Sequence, residues 1–271
     1  MRVLRFLPFV FASILLVLSL PLSAQQTPSA TKDPQAVSIL TQALAAAGGT
    51  TAITAITDYK ATGTITYHWN TEEQGSVTVL GLALDQVRVD ANLPRGVRSW
   101  IISDGQTTIK SENGAVWQYP PAYPIPSSDA FPYQPPLIPA SLALPEWQLS
   151  TTLNASPFSL SYKGIVQVDG RSVHDVQAQL NLPGQTQSDS MAKYRTIDLF
   201  IDTTTLQLVM AQDNIPKLIV HQIRYSNYTT VSGVLVPFSI VEQMAGQHTW
   251  DMQLSQISFN TGLQDSAFTI Q

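Results

Sequence analysis

The chain has 271 residues, of which 44% are hydrophobic and 12% charged, and its net charge is −5. An acidic surface repels phosphate backbones, so we expect no nucleic-acid partner. Cysteine is absent, which excludes a disulfide scaffold and the acylated cysteine of a bacterial lipoprotein, so we expect no covalent membrane anchor. The length and apolar content suit one large, mainly β domain.

The first 24 residues have the pattern of a secretory signal peptide. Arg2 and Arg5 precede an apolar run over residues 6–20, and a small residue, Ala24, follows. We predict cleavage after Ala24 and a periplasmic or secreted mature protein. A retained N-terminal anchor is the other interpretation, although the run is short for a membrane span. Cleavage removes two of the 14 basic residues and none of the 19 acidic ones, which leaves a net charge of −7.

One amphipathic helix is predicted after a flexible, polar lead-in over residues 25–32. Asp33 is a suitable N-cap, Pro34 fits the first turn, and Gly48-Gly49 ends the helix. Apolar residues recur between them at helical spacing, at Val37, Leu40, Leu44 and Ala47. A second, short helical turn is predicted within residues 51–57.

From residue 59 the apolar period changes to two, which predicts strands. The first strand places Tyr59, Ala61, Gly63, Ile65, Tyr67 and Trp69 on one face. Further strands are predicted at 76–84, 86–93, 96–102, 107–111, 115–119, 158–168, 172–181, 196–202, 206–210, 219–225, 234–244 and 250–254. Phe200 alone interrupts the alternation in its strand. The pattern favours a strongly curved antiparallel sheet around the helix, forming an unclosed β-barrel.

A proline-rich segment, Pro120 to Pro145, interrupts this rhythm with nine of the 18 prolines. Proline cannot donate to a central sheet ladder, so we predict a loop near the mouth of the sheet. Two interpretations stay open, an ordered crossing loop and a lid over a cavity. Residues 138–144 are apolar enough for one or two helical turns.

The sequence offers no catalytic pattern, and we expect no enzyme, no metal and no cofactor. The chain lacks a Gly-x-Ser-x-Gly elbow, a glycine-rich phosphate loop and a cysteine nucleophile. Its histidines have no i, i+4 spacing of the kind a helical zinc site uses, and they are His68, His174, His221 and His248.

Three acidic or basic side chains receive specific interpretations. His221 lies on an apolar strand face and is interpreted as a satisfied core or pocket histidine. Asp198 and Asp202 share a strand face and are interpreted as solvated carboxylates. A hydrolase would require one of these aspartates beside His174 or His221.

Large apolar residues on predicted strand faces are the other candidates for function. One helix and one loop are too few to cover the apolar face of so many strands. A curved sheet that is incompletely filled leaves an apolar concavity. We predict that a hydrophobic ligand contacts Ile65, Tyr67, Trp69, Trp100, Leu199, Tyr225, Phe238 and Trp250.

The chain resembles the LolA/LolB-like superfamily of periplasmic lipoprotein carriers in three stretches. The first is the helix followed by a strand, Leu40 to Trp69. The second is Asp85-Gln86-Val87-Arg88-Val89 leading to Ile101-Ile102-Ser103-Asp104-Gly105-Gln106-Thr107, which is similar to that family's S-D-G-K-T signature. The third is Gly233-Val234-Leu235-Val236-Pro237-Phe238. Ala83-Leu84 stands where the carriers have the Arg-Pro pair that latches their lid.

The resemblance implies a single half-barrel domain over residues 33–271 that binds a hydrophobic ligand. We therefore expect a binding protein that holds a lipid, a lipoprotein acyl chain or another apolar molecule and makes transient contact with membrane proteins. A second hypothesis is a non-catalytic structural or interaction module, with a core filled by its own side chains and a Pro/Tyr-rich segment that docks a partner.

Overall fold

The computed structural model describes residues 30–68, 71–83, 85–103, 106–119, 141–181, 192–215 and 219–270. Within them, thirteen antiparallel strands form one sheet in the order β6-β5-β4-β3-β2-β1-β13-β12-β11-β10-β9-β8-β7. The strands are β1 (Asp58–Tyr67), β2 (Glu73–Leu82), β3 (Gln86–Leu93), β4 (Gly96–Ser103), β5 (Gln106–Lys110), β6 (Val116–Tyr119), β7 (Phe158–Val168), β8 (Arg171–Leu180), β9 (Thr196–Asp202), β10 (Leu208–Ile215), β11 (Ile219–Val231), β12 (Val234–Met244) and β13 (Gln247–Phe259).

This sheet is an unclosed β-barrel, which confirms the predicted fold class. Its first and last strands, β6 and β7, stand at opposite ends of the order. These two strands follow each other along the chain, and the structure describes residues 141–157 of the connection between them. The proline-rich segment is part of that connection. Its residues 120–140 lie outside the part of the chain that the structure describes.

Helix α1 (Pro34–Ala46) packs its apolar stripe on the inner face of the sheet. The Asp33 carboxylate caps it, because its Oδ1 accepts hydrogen bonds from the backbone N–H of Gln35 (2.7 Å) and of Ala36 (3.3 Å). The buried residues of α1 are Ala36, Ile39, Leu40, Ala43 and Leu44. The predicted helix is confirmed, with both ends within one residue.

The end of α1 is fixed against the turn that joins β11 to β12. Leu235 donates its backbone N–H to Ala47 O at 2.9 Å. Gly48 has φ +120° there, and a Cβ on it would lie 2.3 Å from Gly233 O. Only glycine permits this close approach of the two backbones. Helix α2 (Thr50–Thr54) then leads to β1, as predicted.

A third helix, α3 (Glu146–Asn154), was not predicted from the sequence. Every residue from Ser141 to Ser150 is buried, and Trp147 packs on Tyr59 with ring centroids 5.4 Å apart. The helix is buried around most of its surface, including the polar Gln148 and Thr152, so it lacks the one-sided apolar pattern by which helices are recognised. The helical turn predicted at 138–144 is present over the described residues 141–144, where Leu144 donates its backbone N–H to Ser141 O at 3.0 Å, as in a 3₁₀ turn.

Asp58 fixes the return of the chain after β13. Its carboxylate accepts hydrogen bonds from Thr261 N (2.7 Å), Thr261 Oγ1 (2.6 Å) and Gly262 N (3.1 Å). Burial raises the pKa of Asp58, but these hydrogen bonds outweigh it and hold the pKa below its usual range. The carboxylate is therefore charged and fully used by the fold at neutral pH.

The interruption at Phe200 is explained by a second, smaller apolar cluster on the outer face. Phe200 packs there with Val173, Val209 and Met210, separate from the main core. A pocket of about 260 Å³ lies beside this cluster, where Arg224 pairs with Asp169 of the β7–β8 turn. Phe200 therefore obeys the strand period and simply has apolar neighbours on its own side.

The strand predicted at 206–210 begins two residues later in the structure, at Leu208. Leu206 has φ +60° and belongs to the turn before β10. The register of β9 against β10 shifts between Leu208 and Met210, so Leu208 joins the main core and Met210 joins the outer cluster. A β-bulge is not visible in an apolar pattern.

The last residues of the predicted flexible lead-in are bound to the sheet. Thr31 O accepts a hydrogen bond from Leu160 N at 2.9 Å, and Asp33 N donates to Leu160 O at 3.0 Å. Lys32 forms a parallel bridge with Leu160 of β7. This short stretch thus continues the sheet beyond its last strand.

Candidate functional site

The inner face of the sheet carries two adjacent rows of side chains, because paired residues of antiparallel strands point to the same side. The first row is Ile65, Met252, Ile240 and Tyr225. The second row is Tyr67, Trp250, Glu242, Ile223, Ala211 and Leu199. Five of the eight residues predicted to bind a ligand lie in these rows: Ile65, Tyr67, Leu199, Tyr225 and Trp250.

Burial divides these five residues into two groups. Ile65, Leu199 and Tyr225 are at most 3% exposed and belong to the packed core. Tyr67 and Trp250, by contrast, are partly exposed and pack against the core from its margin. A ligand could reach the second pair directly, and it could reach the first group only by displacing protein.

The other three residues predicted to bind a ligand lie outside these two rows. Phe238 lies two positions before Ile240 in β12 and is partly buried against the core. Trp100 is also partly buried against the core, but it pairs with Val89 of β3 and stands in a different part of the inner face. Trp69 lies outside the residues that the structure describes. The ligand-binding role of all eight residues stays a prediction.

Charged side chains surround Tyr67 at its end of the inner face. The Arg98 guanidinium lies over the Tyr67 ring, 4.3 Å from its centroid, and pairs with Glu112 and Glu73. Burial raises the pKa of Tyr67 to about 12, against the opposing charge of Arg98. This end of the concave face therefore combines aromatic surface with charged side chains of both signs, which suits contact with a polar group.

A buried polar triad adjoins Trp250. His221 Nδ1 lies 2.8 Å from Asp213 Oδ1, and its Nε2 lies 3.0 Å from Glu242 Oε1. Because both neighbours are acceptors, both ring nitrogens donate and the imidazole is protonated. Burial lowers the pKa of His221, but the hydrogen bonds and charges of both carboxylates outweigh burial and raise it to about 9. The prediction of a satisfied core histidine is confirmed.

Glu146 at the start of α3 places a carboxyl group deep in the interior. It is 2% exposed, and its Oε2 accepts no hydrogen bond from the described residues. Burial raises its pKa to about 8, so the group is mostly neutral at pH 7. Burial, and after it the nearby Glu146, raises the pKa of the Tyr225 and Tyr228 hydroxyls well above the usual value.

The arrangement does not assemble a hydrolytic site from the candidates. Asp202 is 8% exposed and caps a turn, accepting from Thr204 N and Thr205 N at 2.8 Å each, while Asp198 accepts a hydrogen bond from Gln177. His174 instead lies 3.1 Å from the Tyr162 hydroxyl. The interpretation of Asp202 as solvated is wrong, since it is buried, whereas Asp198 is partly exposed. Neither is paired with His174 or His221.

The sequence did not reveal the triad or the Arg98 group. Asp213, His221 and Glu242 come from three strands, and their meeting depends on the cross-strand register, which a single sequence does not specify. Arg98 lies in a strand whose charged side chains look solvated. The only available signal for the triad was a histidine on an apolar face, which demands polar partners.

Comparison with known proteins adds the fold family. No protein-family model and no curated protein matches the sequence. An outer membrane lipoprotein-sorting protein domain from Vibrio parahaemolyticus aligns with 86% of this chain and 95% of its own, at 12% identity and a TM-score of 0.51. A LolA superfamily protein from Nitrosomonas europaea aligns with 86% of this chain and 97% of its own, at 10% identity and a TM-score of 0.52.

These similarities show that the chain has a LolA-like fold, which confirms the resemblance found in the sequence. At such low identity they establish the architecture alone. Within the described residues, no helix has the length and apolar character needed to cross a bilayer.

Proposed function

We propose that this is a periplasmic or secreted binding protein that holds an elongated apolar ligand, a lipid or a lipoprotein acyl chain, against the inner face of the half-barrel. One observation carries the proposal: Tyr67 and Trp250 remain partly exposed on the concave face of an unclosed sheet, although helices cover the deeper part of that face. The LolA-like fold of the lipoprotein-sorting domain supports it.

Binding in this site would depend on buried apolar area rather than on covalent bonds or directional polar contacts. An aromatic side chain offers roughly 150–250 Å² for burial, and each Å² removed from water contributes about 25 cal/mol before ordering costs. Such contacts are not directional, so the protein would discriminate little among apolar chains.

The polar end of an amphipathic ligand would lie near Arg98 and Glu242. Both belong to the Tyr67 and Trp250 end of the inner face, where Arg98 stacks on Tyr67 and Glu242 pairs with Trp250 across β12 and β13. No covalent step is involved, and we propose no enzymatic activity. Transient contact with membrane proteins would be needed to load and release the ligand.

The test is ligand capture combined with two matched variants. Native mass spectrometry and lipid extraction of the purified protein should find a bound lipid, and a fluorescent fatty-acid probe should bind and be displaced by unlabelled fatty acid. Trp250→Leu should weaken probe binding by roughly tenfold, since about 1–2 kcal/mol of buried aromatic area is lost.

The control is Phe200→Leu, which removes an aromatic ring from the outer face. It should leave probe affinity unchanged. Finding no lipid and no probe binding in the folded wild-type protein would overturn the proposal, and so would equal losses in the two variants.

A second candidate is supported by the burial of residues 141–150, which fill part of the concavity with the chain's own side chains. A non-catalytic interaction module of this kind would hold no cargo and would bind a protein partner. Native mass spectra without a bound lipid, together with no binding of the fatty-acid probe, would favour this interaction module over the lipid-binding protein.

A further inference from the structure

Three potential metal ligands converge on the outer face, behind Tyr67 and Trp250. His68 Nε2 lies 3.0 Å from Asp251 Oδ2, and His248 Nε2 lies 2.5 Å from Asp251 Oδ1. The donor atoms of all three residues lie within 4.8 Å of one another. The two imidazole rings lie side by side, with centroids 4.5 Å apart and planes inclined by 33°.

The backbone holds these residues in place on two paired strands. Thr66 pairs with Asp251 in the ladder between β1 and β13, and His68 N donates to Thr249 O at 2.9 Å. Side chains alternate along a strand, so Asp251 points away from the inner-face neighbours Trp250 and Met252. The cluster is therefore separate from the proposed ligand site.

The chemistry of the cluster is that of a transition-metal site. The Nε2 atoms of both imidazoles face one carboxylate, which accepts a hydrogen bond from the ring N–H of each. Zinc takes nitrogen ligands at about 2.0–2.1 Å in a tetrahedron, which places donors about 3.3 Å apart. The two nitrogen–carboxylate separations, 3.0 Å and 2.5 Å, are shorter than that spacing, so the side chains would have to move apart to admit an ion between them.

The surroundings suit such an ion. The side chains of His68, His248 and Asp251 are 25%, 43% and 30% exposed, so an ion can enter from solvent and a water can fill the fourth position. Glu72 Oε2 lies 3.9 Å from His68 Nδ1. This distance is beyond a hydrogen bond, but the exposed Glu72 side chain can move closer and accept one, as the outer partner of a ligating histidine usually does.

We propose that His68, His248 and Asp251 bind one divalent transition-metal ion, with zinc as the representative, and that the ion links the end of β1 to β13. Imidazole ligands favour zinc, copper and nickel over the oxygen-seeking calcium and magnesium. The site is independent of the apolar ligand on the opposite face.

The experiment is a calorimetric titration of zinc chloride into tag-free protein, since a polyhistidine tag would bind the same ion. One zinc per chain is expected, together with a rise in the thermal unfolding midpoint. His248→Ala and Asp251→Asn should each weaken binding by more than about 100-fold, the upper range for loss of an outer partner. Calcium should not bind at the same concentration.

The control is His174→Ala, because His174 is paired with Tyr162 on another part of the sheet and should not affect zinc binding. Imidazole nitrogen chemical shifts of His68 and His248 should move on titration while those of His174 stay constant. Absence of binding by the folded wild-type protein at 1 mM zinc would overturn the proposal. Binding that survives His248→Ala would do the same.

Discussion

His221 shows how a charged side chain is accommodated inside an apolar half-barrel. Its two ring nitrogens are each matched by a carboxylate from a neighbouring strand, at 2.8 Å and 3.0 Å. Thr249 Oγ1 in turn donates to Glu242 Oε2 at 2.5 Å. Because a half-satisfied buried network destabilises a fold, this triad fixes the register of β10, β11 and β12 as well as the position of Glu242 beside Trp250.

The protonation of His221 gives a pH dependence of known sign. Its pKa is raised from 6.5 to about 9 in the folded protein, so the stability it contributes is fully present below pH 6.5 and is lost as the pH rises through about 9. Urea unfolding at pH 6.5, 7.5 and 9 should show a falling free energy of unfolding over this window.

The matched variant is His221→Gln, which does not titrate and keeps an amide donor for one carboxylate. Glu146 also loses stability with rising pH, since its pKa is raised from 4.5 to about 8, and it does so in both proteins. The difference between the two unfolding curves therefore isolates His221. If the difference in unfolding free energy between the two proteins stayed constant from pH 6.5 to pH 9, His221 would not be the group that causes the pH dependence.

Among the elements, α1 is the one whose stability can be tested through a single cap. Replacing Asp33 by alanine removes the acceptor for Gln35 N and Ala36 N and should lower the free energy of unfolding by about 1 kcal/mol. Chemical denaturation measures this loss. Gln35→Ala, at an exposed position in the same turn, should change it by less than about 0.5 kcal/mol.

The alternation of apolar residues predicted the strands well, because one face of this sheet is buried and a strand has period two. Tyr59, Ala61, Ile65 and Tyr67 share a face as predicted. The helix α1 was predictable from Asp33-Pro34 and Gly48-Gly49, which are local signals.

Elements without a local signal were missed. Helix α3 is buried on nearly every side and so has no polar stripe, and the bulge before Met210 leaves no trace in composition. Of the candidate site, the inward aromatic positions Tyr67 and Trp250 followed from alternation. The acids Asp213 and Glu242 did not, since they are distant in the chain and meet only through strand register.

For the molecule as a whole, α3 fills part of the interior, where it packs against α1, α2 and β7. Trp147 is 5% exposed and packs on Tyr59. Trp147→Ala should therefore cost about 3–5 kcal/mol of unfolding free energy, as other large aromatic truncations in cores do. Leu153→Ala, on the partly buried side of the same helix, should cost less.

The same pair of variants reports on the two candidate functions. If the concavity takes an apolar ligand, the space vacated in Trp147→Ala should increase the uptake of the fatty-acid probe, as measured by fluorescence titration. A self-filled module would show the stability loss with no uptake in either variant.

The short stretch at Thr31 and Lys32 has a consequence for the behaviour of the protein in solution. By bonding to Leu160 it occupies backbone groups of an outermost strand that would otherwise be free to recruit a foreign strand. Shortening the chain to begin at Asp33 would leave backbone groups of β7 without hydrogen-bond partners. Copies of the protein would then be able to associate by pairing these exposed strand edges.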